Sequence, residues 1–137
     1  MEKYTRIIGR FEKAFEKFRE IIENPAILGF FKEEFIVEIA TKRFEYTFES
    51  MWKATKEFLR LRGIECNSPR SCFEELIKEG AVEENFEKIL AKMIILRNEL
   101  VHTYDEMKAK NIYEQIKNKE ITETFKQVLK ALSEHNR

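Results

Sequence analysis

Residues 32–63 read KEEFIVEIATKRFEYTFESMWKATKEFLRLRG. Phe35, Ile39, Phe44, Phe48, Met51, Thr55 and Phe58 recur here at steps of mostly three or four residues. That is the period of one helix face, not the period of two that marks a strand. No Pro or Gly interrupts the run before Gly63, a natural residue to follow a last helical turn. The spacing therefore predicts one long helix from about Lys32 to Gly63. Such a helix is stable only if neighbours cover its apolar face, so the flanking segments decide the fold.

Upstream, Tyr4, Ile8, Phe11, Phe15, Phe18 and Ile22 make a second stripe over about Glu2 to Glu23, stopped by Asn24-Pro25. Downstream, Ser68-Pro69 reads as an N-cap with Pro at the first helical position, opening a short helix to about Lys78 that Gly80 closes. A fourth helix begins near Glu83 and carries Phe86, Ile89, Leu90, Met93, Leu96 and Leu100. Thr103 and Glu106 fit an S/T-x-x-E capping box. The last segment, about Asp105 to Glu134, carries Ile112, Ile116, Ile121, Phe125, Leu129 and Leu132. Its stripe slips between Ile116 and Ile121, which predicts a break near Asn118. With no strand-like alternation, the expectation is an all-α chain. Five helices in an antiparallel up-and-down bundle would form one domain over residues 1–137. The many Phe residues read as core filling.

The 25 basic and 25 acidic residues cancel, which removes any global positive field that would draw nucleic acid. RNA binding would need a local patch, and no DNA is expected. No apolar run approaches the ~20 residues that cross a membrane, and the N-terminus leads straight into an amphipathic pattern, so the cytoplasm is the expected location. Cys66 and Cys72, spaced C-x5-C with no His nearby, do not suit zinc and read as reduced thiols. No metal and no cofactor is expected.

Chemistry is best sought around His102, within Arg97-Asn98-Glu99-Leu100-Val101-His102-Thr103-Tyr104. The residue types suit metal-free cleavage of RNA. An imidazole can take the proton of a ribose 2′-OH, or return one to the leaving oxygen, near neutral pH. A guanidinium can hold the charged phosphoryl oxygens, and Asn98 can add a hydrogen bond. A helix starting near Thr103 would add backbone N–H groups as a phosphate seat. Five residues along one helix is about 500°, so Arg97 and His102 point about 140° apart. They meet only if the helix ends between them, or if two copies face one cleft. Without catalysis, an Arg or His near a helix C-terminus simply complements the dipole.

The stretch R-N-E-L-V-H-T-Y at 97–104 resembles the R-x4-H-x-Y motif of HEPN-domain toxins. Arg43 to Lys53, RFEYTFESMWK, resembles a signature of a HEPN branch, the nucleotidyltransferase substrate-binding proteins. Ser68-Pro69-Arg70 and the closing Asp105 match that branch too. The resemblance spans nearly the whole chain. It implies a HEPN-like bundle that pairs as a homodimer, with Arg97 and His102 catalytic for RNA cleavage and Asn98 supporting. It also implies a minimal nucleotidyltransferase as antitoxin partner, with Tyr104 as the acceptor of AMP. The expected function is thus a metal-independent endoribonuclease toxin acting on an RNA substrate. The alternative is a non-catalytic substrate-binding subunit of a separate nucleotidyltransferase. This chain has no Gly-Ser motif followed by Asp-x-Asp, and Asp105 is its only Asp, so a second polypeptide would have to transfer any nucleotide. The first helix and the helix ending at Arg97 are the expected dimer faces.

Overall fold

The computed structural model describes residues 2–102 and 105–134. Seven α-helices lie among them: α1 (Glu2–Glu23), α2 (Pro25–Phe30), α3 (Glu33–Arg60), α4 (Pro69–Lys78), α5 (Glu87–His102), α6 (Glu106–Ile116) and α7 (Lys119–Glu134). A 3-10 turn, Glu84–Phe86, leads into α5. The described residues contain no strand.

Expectation and structure differ in number, seven helices against five. Two more arise because the last segment is broken, as the slip near Asn118 indicates, and because Asn24-Pro25 restarts a helix as well as stopping one. The Asn24 side chain accepts from the Ala26 N–H at 3.1 Å and so caps the six-residue α2. The Ser68 N-cap is present, with Ser71 completing a capping box. Gly63 and Gly80 adopt φ of +78° and +77°, letting the chain leave α3 and α4 through left-handed residues.

Helix α3 is the central element. It packs along α1 and also touches α4, α5, α6 and α7. Phe125 of α7 fills the middle of the core. Its ring centroid lies 5.6 to 6.4 Å from those of Phe11, Phe15, Phe18 and Phe44. Polar ties set the α1–α3 register: Arg43 donates to the Lys17 carbonyl at 2.8 Å, and the Thr47 hydroxyl, fully buried, lies 3.1 Å from the Ala14 carbonyl.

The buried Tyr4 hydroxyl donates to the Leu132 carbonyl at 2.8 Å, tying α1 to the end of α7. Burial raises the pKa of this phenol from 10.0 to about 12. The folded state therefore keeps the proton longer than the unfolded chain does. Its contribution to stability is complete below pH 10 and is lost as pH rises toward 12. Tyr4→Phe is expected to cost about 1–2 kcal/mol in urea unfolding at pH 7, because the Leu132 carbonyl loses its partner. The variant should also show a shallower alkaline decline.

Two expectations are corrected. The α3 stripe enters the core later than its first members suggest: Phe35 and Ile39 face water, and Ile36, Val37 and Ala40 are buried in their place. The cysteines are not free thiols. Cys66 and Cys72 form a disulfide, with Cα atoms 5.1 Å apart, because the turn at Ser68 folds the start of α4 back over the preceding loop.

Candidate functional site

Helix α5 runs unbroken from Glu87 through His102, so the expectation that it ends between Arg97 and His102 is not met. On one continuous helix the two side chains leave about 140° apart and about 7.5 Å along the axis. They do not converge on one ligand within a single chain.

Arg97 is half-buried and fully engaged. Its Nε donates to Glu49 Oε1 at 2.7 Å, Nη2 donates to the same oxygen, and Nη1 donates to Asn98 Oδ1 at 2.9 Å. The guanidinium carbon lies over two rings of α3, 5.3 Å from the Phe48 centroid and 5.7 Å from that of Trp52. A planar cation that stacks and forks at once suits such a site better than a lysine would. Thus Arg97 and Asn98 are brought together and tied to α3, whereas His102 is exposed at the α5 C-terminus. Tyr104 lies outside the described residues, as does Thr103.

Helix α6 is capped by Asp105, whose Oδ1 accepts from the N–H groups of Met107 at 2.9 Å and Lys108 at 3.3 Å. This corrects the reading of Thr103 as the start signal. It also fills the expected phosphate seat, since a carboxylate already occupies the place an anion would take.

Glu49, Phe48 and Trp52 escape sequence reasoning as site residues. All three lie inside the segment 43–53 that carries the family resemblance, and they touch the second such segment at Arg97. The Trp52 indole N–H is buried and has no hydrogen-bond partner among the described residues, leaving one donor unused beside the guanidinium.

Two adjoining grooves lie between the N-terminal half of α3 and α6. One, of about 680 Å³, is lined by Lys17, Lys42, Arg43, Tyr46, Leu100 and Lys108 among others. The other, of about 380 Å³, is lined by Glu33, Glu34, Phe35, Glu38 and Glu106, and by Lys110, which pairs with Glu33 at 3.4 Å. Glu38, Thr41 and Ala109 belong to both. Around them, Phe30 is 86% exposed and Met107 83%, with Phe31, Phe35, Ile39 and Tyr46 also open. On α3, Phe35, Ile39, Lys42, Tyr46 and Glu49 fall within about 80° of arc, so this apolar strip runs along one helix face toward Arg97. Of the two expected dimer faces, α1 presents none of the large exposed hydrophobics, whereas α5 presents Ile95 and Val101. Among the described residues no helix is long and apolar enough to cross a membrane.

The chain resembles a protein of known crystal structure from Thermus thermophilus, with a TM-score of 0.75 and 28% identity over 89% of this chain and 98% of that one. No functionally curated protein matches it. Residues 2–134, both motif segments included, match the model of the HEPN-related family described as nucleotidyltransferase substrate binding protein like, and the chain belongs to that family.

Proposed function

We propose that this protein is a non-catalytic subunit that serves a separate nucleotidyltransferase and docks on it through the exposed strip of α2, α3 and α6. The strip carries the proposal. Phe30, Phe31, Phe35, Ile39, Tyr46 and Met107 leave on the order of 700 Å² of side chain in water, close to the ~800 Å² that one partner contributes to a standard interface. This much exposed apolar side chain on α2, α3 and α6 is of the size that marks contact sites. The family is named for binding a nucleotidyltransferase's substrate, and this chain, with a single Asp, has no Asp-x-Asp pair of the kind a nucleotidyltransferase uses to hold its metal ions. The grooves beside the strip are of small-ligand size and would hold the substrate while the partner supplies the metal-dependent chemistry.

The endoribonuclease reading is the second one, and the exposure of His102 favours it. It requires a homodimer that brings one chain's His102 to the other's Arg97, and it requires Arg97 to leave Glu49. Tyr104, as AMP acceptor, belongs to this reading as well.

Complex formation tests the docking strip, and RNA cleavage separates the two readings. The purified chain is mixed with a minimal nucleotidyltransferase from the same source, and mass is followed by light scattering. A complex is expected for the wild type. Phe31→Glu with Tyr46→Glu, both at exposed positions, should weaken it at least 10-fold without changing the helical spectrum. If no complex forms at micromolar concentration, the subunit reading is lost. In parallel, RNA is incubated in EDTA with wild type, Arg97→Ala and His102→Ala. Cleavage to 2′,3′-cyclic ends that both substitutions abolish would establish the nuclease instead.

A further inference from the structure

A further cleft lies away from the motif end of α5. It has a volume of about 900 Å³ and sits between the C-terminal half of α1, the start of α5 and the N-terminal half of α7. Lys88 and His102 are separated by about 21 Å along α5, and Arg97 leaves that helix about 180° from Lys88. The cleft is therefore distinct from the Arg97 site and from the exposed strip.

Its construction is amphipathic. Phe15, Phe86 and Ile89 form an apolar floor. Lys88 and Lys92 stand one turn apart on α5, and Lys119 and Lys126 stand two turns apart on α7. All four are exposed, and none has an ion-pair partner among the described residues. Of the three carboxylates at the cleft, two are engaged: Glu23 pairs with Arg19 at 3.2 Å, and Glu123 accepts from Gln127 at 2.8 Å. In a chain whose charges cancel overall, the cleft sets five basic side chains, Arg19 and the four lysines, against three carboxylates, a local excess of two positive charges around one apolar floor.

We infer that this cleft is a docking groove for an acidic amphipathic helix of a partner protein. The apolar side chains of such a helix at i, i+4 and i+7 would lie on Phe86 and Ile89, and its flanking carboxylates would meet the lysines. The dimensions agree. Lys119 and Lys126 are about 10.5 Å apart along α7, the rise from i to i+7 of a guest helix. Charge complementarity selects an acidic guest and would speed its encounter more than it tightens the final complex. A nucleic-acid strand fits less well, because it carries a charge at every phosphate and must bring some of them against Glu23, Glu120 and Glu123, whereas a helix can set its few carboxylates against the lysines alone. The inference does not depend on the proposed nucleotidyltransferase partner, whose surface is elsewhere.

The test uses the full chain and three fluorescein-labelled probes followed by anisotropy. The first is a synthetic acidic helix with Leu at i, i+4 and i+7 among Glu and Ala. The second is its scrambled sequence at equal charge, and the third is oligo(U) RNA. The ordered peptide is expected to bind in the micromolar range at low salt, at least 10-fold tighter than the scramble. Lys88→Glu with Lys126→Glu should lower its affinity at least 10-fold, while Phe31→Glu with Tyr46→Glu leaves it unchanged. Equal binding of ordered and scrambled peptides would overturn the inference, since charge alone would then suffice. So would indifference to the lysine reversals, or tighter binding of oligo(U) sensitive to the same reversals. The reversed residues are exposed, so an unchanged far-UV spectrum is expected to confirm that folding is intact.

Discussion

Phe125→Ala is expected to destabilise the protein by about 3–5 kcal/mol, lowering the thermal midpoint by something on the order of 10–20 °C. The ring is completely buried and has four phenylalanine neighbours on α1 and α3. Removing it leaves a cavity that rigid aromatic walls cannot close, so the loss exceeds the transfer energy of the missing atoms. Urea unfolding of the variant beside wild type measures the effect. Phe30→Ala is the internal control. That side chain is largely in water and should change stability by less than about 0.5 kcal/mol. A cost below about 1 kcal/mol at position 125 would mean the helices repack freely, contrary to the single aromatic cluster described above.

Breaking the Cys66–Cys72 link is expected to cost about 2 kcal/mol, the value the chain-entropy relation gives for so short a loop. The bond holds the segment between α3 and α4 against the first turn of α4, and Cys72 contributes to the core with no exposure. Thermal unfolding with and without dithiothreitol should differ for the wild type and coincide for Cys66→Ala with Cys72→Ala. A reductant-insensitive wild-type midpoint would show that the two sulfurs are not joined in solution.

How much of the molecule is legible in its sequence depends on the range over which the information acts. The boundaries of α1 and α4 follow from local chemistry, Asn24-Pro25 in one case and Ser68-Pro69 in the other, and the structure reproduces them. The break at Asn118 is visible as a slip in the apolar period. Phe35 and Ile39 are misplaced because periodicity marks a face as apolar without saying whether this chain or another covers it. Thr103 reads as a cap because the T-x-x-E pattern is in phase, whereas Asp105, closer to the helix, accepts two backbone N–H groups. The disulfide escapes notice since compartment statistics favour thiols and spacing alone cannot show two Cα atoms 5.1 Å apart. Glu49 escapes for a similar reason. Its partner is 48 residues away, and only the α3–α5 packing joins them.

The stacking of Arg97 on Trp52 gives the molecule a built-in optical readout. The chain has one tryptophan, so the emission excited at the red edge, beyond tyrosine absorption, comes from a single known place. Any event that pulls the cation off that ring alters the polarity around the fluorophore, and the colour and brightness of the emitted light change with it. Titrating in a candidate ligand or partner and watching that signal therefore follows the arginine directly, with no label attached.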